Sequence, residues 1–199
     1  INNVIHVGEL SPEQKLDLFM KIMNHGSSEP FRGSSSLETL EFLKNIPPFP
    51  LDISVAAYYL KSISISYKKY LENLESYNRE FTNVQENLLK EAGNYSKSRY
   101  SIITLSLEHL IRNQKDFEDL VLFISFLDSQ NIPRDILNRY KNNTIVDNFI
   151  YHLKKHSLVT MQSSPFSRPT LSIHRSTQAI ILAFLAQKLN LQEKDHHLL

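Results

Sequence analysis

Two short stretches hold residue types that could meet a ligand. The first is Leu171-Ser172-Ile173-His174-Arg175-Ser176-Thr177-Gln178, where a β-prone run gives way to a helix start. Free N–H groups and the macrodipole attract phosphate to a helix N-terminus, and an imidazole placed there can donate to a phosphate oxygen. The plainer reading is a capping or core-satisfying histidine, with Ser176 and Thr177 as caps. On the residues alone, that reading is favoured. The second stretch is Pro47-Pro48-Phe49-Pro50-Leu51-Asp52-Ile53-Ser54-Val55-Ala56-Ala57. Its consecutive prolines fix an extended entry, and Pro50 presets the first helical turn. The missing N–H groups leave a flat apolar surface against which a ring could lie. The plainer reading here is a rigid connector between helices, and it too has more weight.

Other chemistry is thin. The eight histidines show no metal-ligand spacing, and His196-His197 sits in a polar tail where solvation is expected. There is no Gly-rich phosphate loop and no G-x-S-x-G elbow. Tyr95 and Tyr100 are expected at core and rim rather than as a stacking platform for bases. No catalytic site is expected, and no metal.

Charge narrows the choice of partners further. The chain of 199 residues balances 22 basic against 21 acidic residues for a net charge of +1. Nothing in that balance draws it to phosphate backbones or anionic membranes. No apolar run approaches the roughly 20 residues that span a bilayer. The Ile1-Asn2-Asn3-Val4 start has neither Met nor a signal pattern, and resembles the beginning of a cut-out fragment. The absence of cysteine fits a reducing compartment, so a cytoplasmic location is expected.

The elements that would position these residues are mostly helices. With only 4 glycines and 8 prolines, the chain has too few turn residues for a many-stranded fold. Ser11, Pro12 and Gln14 announce a first helix whose apolar face holds Leu16, Leu18, Phe19, Ile22 and Met23. A Ser/Gly-rich loop over 26–36 precedes a helix carrying Leu37, Leu40, Phe42, Leu43 and Ile46. Pro50 opens a third, deeply buried helix, and Tyr67 to Leu74 mark a fourth. The polar stretch from Tyr77 to Gly93 is expected to be a looser helix.

A boundary is expected near Gly93-Asn94-Tyr95-Ser96. Beyond it, Tyr100 to Ile111 mark one helix. Phe117 to Leu127, apolar nearly all round, is expected to be a central buried helix. Ile132-Pro133 should start a short helix, and Val146, Phe149, Ile150 and Leu153 mark another. Two β-prone runs over 158–173 flank a turn, and a last helix follows over 176–189. The expected fold is all-α: a helical bundle over 1–93, then a winged-helix domain over 94–199 with a small β-hairpin.

Taken in order, these segments resemble the C-terminal half of an NB-ARC module, a STAND-type signal-transduction ATPase of bacterial type. Val7-Gly8-Glu9-Leu10-Ser11-Pro12-Glu13 looks like the segment leaving that family's nucleotide-binding sheet. Pro48-Phe49-Pro50-Leu51 stands where the family has Gly-Leu-Pro-Leu, with Pro48 in place of the glycine. Ser106-Leu107, Leu120 to Leu127, Ile132-Pro133 and Leu137 look like its winged-helix segments. Ile173-His174-Arg175 falls at its Met-His-Asp motif, with Arg175 in place of the aspartate. The resemblance covers nearly all of the chain and divides it into an ARC1-like bundle and an ARC2-like winged helix.

The resemblance implies that Pro50 and Leu51 lie near adenine, and that His174, with Arg175 beside it, contacts the ADP β-phosphate. The chain would then be a non-catalytic regulatory segment that helps hold ADP and the closed state. ADP or ATP would be bound by the intact parent protein and not tightly by this fragment. An upstream nucleotide-binding domain and a downstream repeat or sensor domain would be its partners, and the parent would be able to oligomerise on activation. The alternative is a stand-alone helical interaction module of a secreted bacterial effector, working in host cytosol. A winged-helix nucleic-acid binder is the weakest reading. The candidate helix carries Asp147, Asn148 and Phe149, and its basic character is limited to Lys154, Lys155 and His156.

Overall fold

The computed structural model describes residues 9–26, 35–80, 97–164 and 167–188. The β-prone stretch at Val4 to Val7, the boundary near Gly93 and most of the 26–36 loop lie outside the described residues. So does the part of the looser helix beyond residue 80. Among the described residues the protein is mostly helical, with nine helices and one three-stranded antiparallel sheet. The chain divides into two compact units, Ile1–Leu71 and Glu72–Leu199.

The first unit begins with α1 (Pro12–Asn24). Ser11 Oγ accepts from the Gln14 N–H at 3.3 Å while Gln14 Oε1 accepts from the Ser11 N–H at 2.8 Å. This reciprocal capping box, with Pro12 at the first helical position, sets where the helix starts. α2 (Ser36–Leu43) is capped by Ser35, and α3 (Pro50–Ile63) buries Ile53, Val55, Ala56, Ala57 and Leu60. α4 (Tyr67–Glu80) supplies Tyr67 and Tyr70 to an aromatic centre. There Phe42 stacks on Tyr67 at 4.4 Å and meets Phe19 and Tyr70, each at 5.7 Å. Such ring pairs add about 0.5–1.5 kcal/mol each beyond area burial. Leu37, expected on the apolar face of α2, is instead 79% exposed. It sits in the first turn, and the short helix turns Thr39, Phe42 and Leu43 inward.

Two lysines close helix ends in this unit. The last carbonyls of a helix lack intrahelical partners and need donors. Lys15 Nζ donates to the Leu43 carbonyl and, at 2.6 Å, to that of Ile46, just past the end of α2. Lys61 Nζ donates to the Ile22 carbonyl at 2.9 Å and to that of His25, at the end of α1. Burial lowers the Lys15 pKa from its usual value.

The second unit holds α5 (Lys97–Asn113), α6 (Lys115–Ser125), β1 (Ile132–Pro133), α7 (Arg134–Tyr140), α8 (Asn143–Lys155), β2 (Val159–Ser164), β3 (Ser167–Ile173) and α9 (Arg175–Lys188). The sheet order is β1-β3-β2, with Ile132 opposite Leu171 and Val159 opposite Ile173. A helix, a short strand, two helices and a hairpin whose second strand enters the middle of the sheet make a winged helix. Ile132-Pro133 does not start a helix. Its two residues pair with Leu171 and Thr170, and α7 begins at Arg134. α6 is not buried all round either: Phe117, Leu120, Val121 and Ile124 face the core, while Phe126 just beyond it is 57% exposed. α5, α8 and α9 pack against α6, and Phe117 meets Phe149 of α8 at 5.3 Å.

Two devices join these elements. Gln178 Nε2, from α9, donates to the Ser125 carbonyl at 3.0 Å and the Leu127 carbonyl at 2.7 Å, satisfying the end of α6. α8 ends in a Schellman motif: the Ser157 N–H donates to Lys154 O and the Leu158 N–H to Leu153 O, both at 2.9 Å. Ser157 takes the left-handed conformation there, with φ 57°. Among the described residues, no helix is long and apolar enough to cross a membrane.

Candidate functional site

His174 occupies the single residue between β3 and α9. Leu171 and Ile173 are buried and lock β3 into the sheet, while α9 is anchored by buried Ile180, Ile181 and Leu185. The junction is therefore held from both sides, and His174 itself is exposed. Its Nδ1 accepts from the Ser176 N–H at 3.2 Å and lies 2.5 Å from Ser176 Oγ. This is the N-cap arrangement, made by an imidazole instead of a short polar side chain. Since Nδ1 accepts from a backbone N–H, the ring hydrogen is on Nε2 and the hydroxyl donates to Nδ1.

The local geometry favours the capping reading and adds a detail to it. The cap is His174, supported by Ser176. Thr177, expected as a cap, is fully buried and its hydroxyl has no hydrogen-bond partner. Arg175 is exposed at the first position of α9. A capping histidine of this tautomer keeps a donor, Nε2–H, on the edge opposite the cap.

Pro50 and Leu51 lie in the first unit, at the first two positions of α3; Pro50 is exposed and Leu51 half-buried. The Phe49 N–H donates to Pro47 O at 2.9 Å, closing a γ-turn centred on Pro48, and the Pro48 carbonyl accepts from Leu10 at 2.8 Å. The γ-turn suits the fixed φ of Pro48, so a proline there is part of the turn. Asp52, one residue past Leu51, is completely buried. Phe49 and Pro50, at the start of α3, are both exposed. Each pair, Pro50 with Leu51 and His174 with Arg175, is consecutive within its own unit.

Charge on the winged-helix unit is largely paired. Lys141 Nζ lies 2.9 Å from both Asp116 and Asp119, Arg168 lies 3.1 Å from Asp135, and Arg134 pairs with Asp147. Hydrogen bonds that Lys141 donates to the Asp116 and Asp119 carboxylates raise its pKa well above its usual range. Among the described residues, no three His, Cys, Asp or Glu side chains are grouped so as to hold a metal ion. The chain matches no protein-family model and no curated protein sequence. Fold and site together define a helical unit followed by a winged helix with an exposed histidine at its β3–α9 junction.

Proposed function

We propose that the chain is the regulatory, non-catalytic segment of a nucleotide-dependent switch of the NB-ARC type, acting within a longer protein. In this reading His174 donates its Nε2–H to the β-phosphate of ADP, with Arg175 beside it. Pro50 and Leu51 lie against adenine, and contact with both ends of ADP favours the closed state. A ligand shifts a conformational equilibrium only through differential contacts with the two states. Exchange for ATP would weaken the link to His174 and free the winged-helix unit. The observation that carries this reading is the exposed His174, its ring fixed by Ser176 at the N-terminus of α9, in a winged helix that follows a helical unit.

An upstream nucleotide-binding domain would supply the phosphate loop and Mg²⁺ site, and a downstream repeat or sensor domain would supply the signal. We place the protein in the cytoplasm. The test is the parent protein itself. Its coding sequence should carry G-x-x-x-x-G-K-[ST] ahead of Ile1, and the purified protein should retain ADP. A parent with neither would overturn the proposal. One observation favours a second reading, a helical interaction module of an effector: Tyr140 and Phe126 are exposed, and Tyr140 stacks on Phe123 at 4.9 Å. A parent lacking the phosphate loop but carrying a secretion signal would select it.

A further inference from the structure

The last turn of α8 and its cap contain His152, Lys154, Lys155 and His156, all groups that can carry positive charge. His156 is the C-cap residue of the Schellman corner that leads into β2, and it is only 1% exposed. Its Nδ1 is buried without a hydrogen-bond partner. The His109 ring, from α5, lies 6.0 Å away, and the His152 ring rests on Phe117 at 5.7 Å and Tyr151 at 5.3 Å. Three imidazoles thus crowd the place where α8 turns into the hairpin, and they form no metal site.

The charged surroundings decide what a proton would do there. The groups that act electrostatically on His156 are His109, Lys155 and His152, all cationic when protonated. On α5, Glu108 beside His109 is engaged by Arg112 at 2.5 Å. On α6, Asp116 is held by Lys141 at 2.9 Å and Glu118 by Lys188 at 2.7 Å. β2 contains no titratable residue. A proton added to His156 would create a buried N–H with nothing to receive it, among groups of like charge. Uncompensated burial of a charge is costly enough that the group leaves for water or stays neutral.

We propose that His109, His152 and His156 form a proton-operated latch at the α8–β2 corner: neutral, they hold the winged helix closed, and protonated, they open it. Leaving the core, His156 would pull apart the corner made by Ser157 and Leu158. The first pair of the hairpin, Val159 with Ile173, would loosen next. Ile173 adjoins His174, so acid reaches the β3–α9 junction through the backbone. The device stands whether or not the chain serves a nucleotide switch.

The sign follows from linkage. Burial, first, and then the neighbouring cations lower the His156 pKa from the ordinary 6.5 to about 4. His109 and His152 are lowered as well, chiefly by burial. A histidine lowered on folding stabilises the closed form above its ordinary value. That stability is lost as pH falls from 6.5 towards 4. His156 alone should cost about tenfold in the closing equilibrium per pH unit across that window.

The experiment is hydrogen exchange of the whole chain at about pH 7 and about pH 5, corrected for intrinsic exchange, with His156→Leu in parallel. Amides of residues 153–160 should lose protection tenfold or more at the lower pH, while those of α5 hold theirs. The variant should show no such loss. Equal protection at both values, loss spread evenly over the unit, or the same loss in the variant would overturn the latch. Should His156→Leu not fold, a histidine NMR titration of the unaltered chain decides. His156 titrating well below its ordinary value, together with the corner amides, supports the proposal; titration near 6.5 refutes it.

Discussion

Replacing His174 separates two roles that one ring can hold. Its Nδ1 accepts from the Ser176 N–H at 3.2 Å and meets the hydroxyl at 2.5 Å. His174→Ala removes that cap, at a cost of about 0.5–2 kcal/mol. For a domain of this size such a loss lowers Tm by several degrees, at about 2–8 °C per kcal/mol. If Nε2–H also donates to an ADP phosphate in the parent, a charged hydrogen bond of about 1.5–3 kcal/mol goes with it. ADP release should then speed up roughly tenfold or more, since about 1.4 kcal/mol is tenfold in affinity. His174→Asn resolves the two effects. Asparagine is a good N-cap but too short to reach an anion beyond the ring's far edge. The asparagine variant should regain most of the lost Tm and still release ADP fast. Recovery of both properties would mean that release tracks stability alone, and the phosphate contact would be refuted. So would an unchanged off-rate in the alanine variant. His174→Ala combined with Arg175→Ala guards against the guanidinium covering the loss.

Three further outcomes are expected. Lys15→Met removes the ammonium donor from the Leu43 and Ile46 carbonyls, leaving Leu43 only the Ile46 N–H, and should destabilise the first unit by about 1–3 kcal/mol, seen as a lower denaturation midpoint. Ser157→Gly relieves a non-glycine residue at φ 57° and should raise stability by up to about 1 kcal/mol, the glycine's greater unfolded-state freedom offsetting part of the gain. Calorimetric titration of the isolated chain with ATP should show no binding as tight as micromolar, for want of a phosphate loop.

What was legible in the sequence depended on whether its cause was local. Ser11, Pro12 and Gln14 announce α1 because the capping box closes within three residues. The hairpin over 158–173 was legible from two β-prone runs either side of a turn, and β2 and β3 fall inside that span. β1 was not, because a two-residue strand has no periodicity and its partners, Leu171 and Thr170, are far along the chain. Lys15 was not among the residues that the sequence singled out. Its spacing from Phe19 and Ile22 puts it on the buried face of α1, which was the available clue. At the site, a histidine before a helix start was visible. The choice of His174 over Thr177 as the cap required the backbone geometry.

The strand order has a consequence for synthesis on the ribosome. β3 lies between β1 and β2 yet is the last of the three to be made. The carbonyl of Ser125 likewise waits for Gln178, 53 residues further on. Until residues 173 and 178 have cleared the exit tunnel, β1 and β2 have no common neighbour and the Ser125 and Leu127 carbonyls lack the Gln178 amide. The winged-helix unit therefore cannot close progressively as it emerges. It must complete in one late step, and a chain cut short before β3 would present two unpaired strands and open carbonyls to whatever chaperone or protease is nearby.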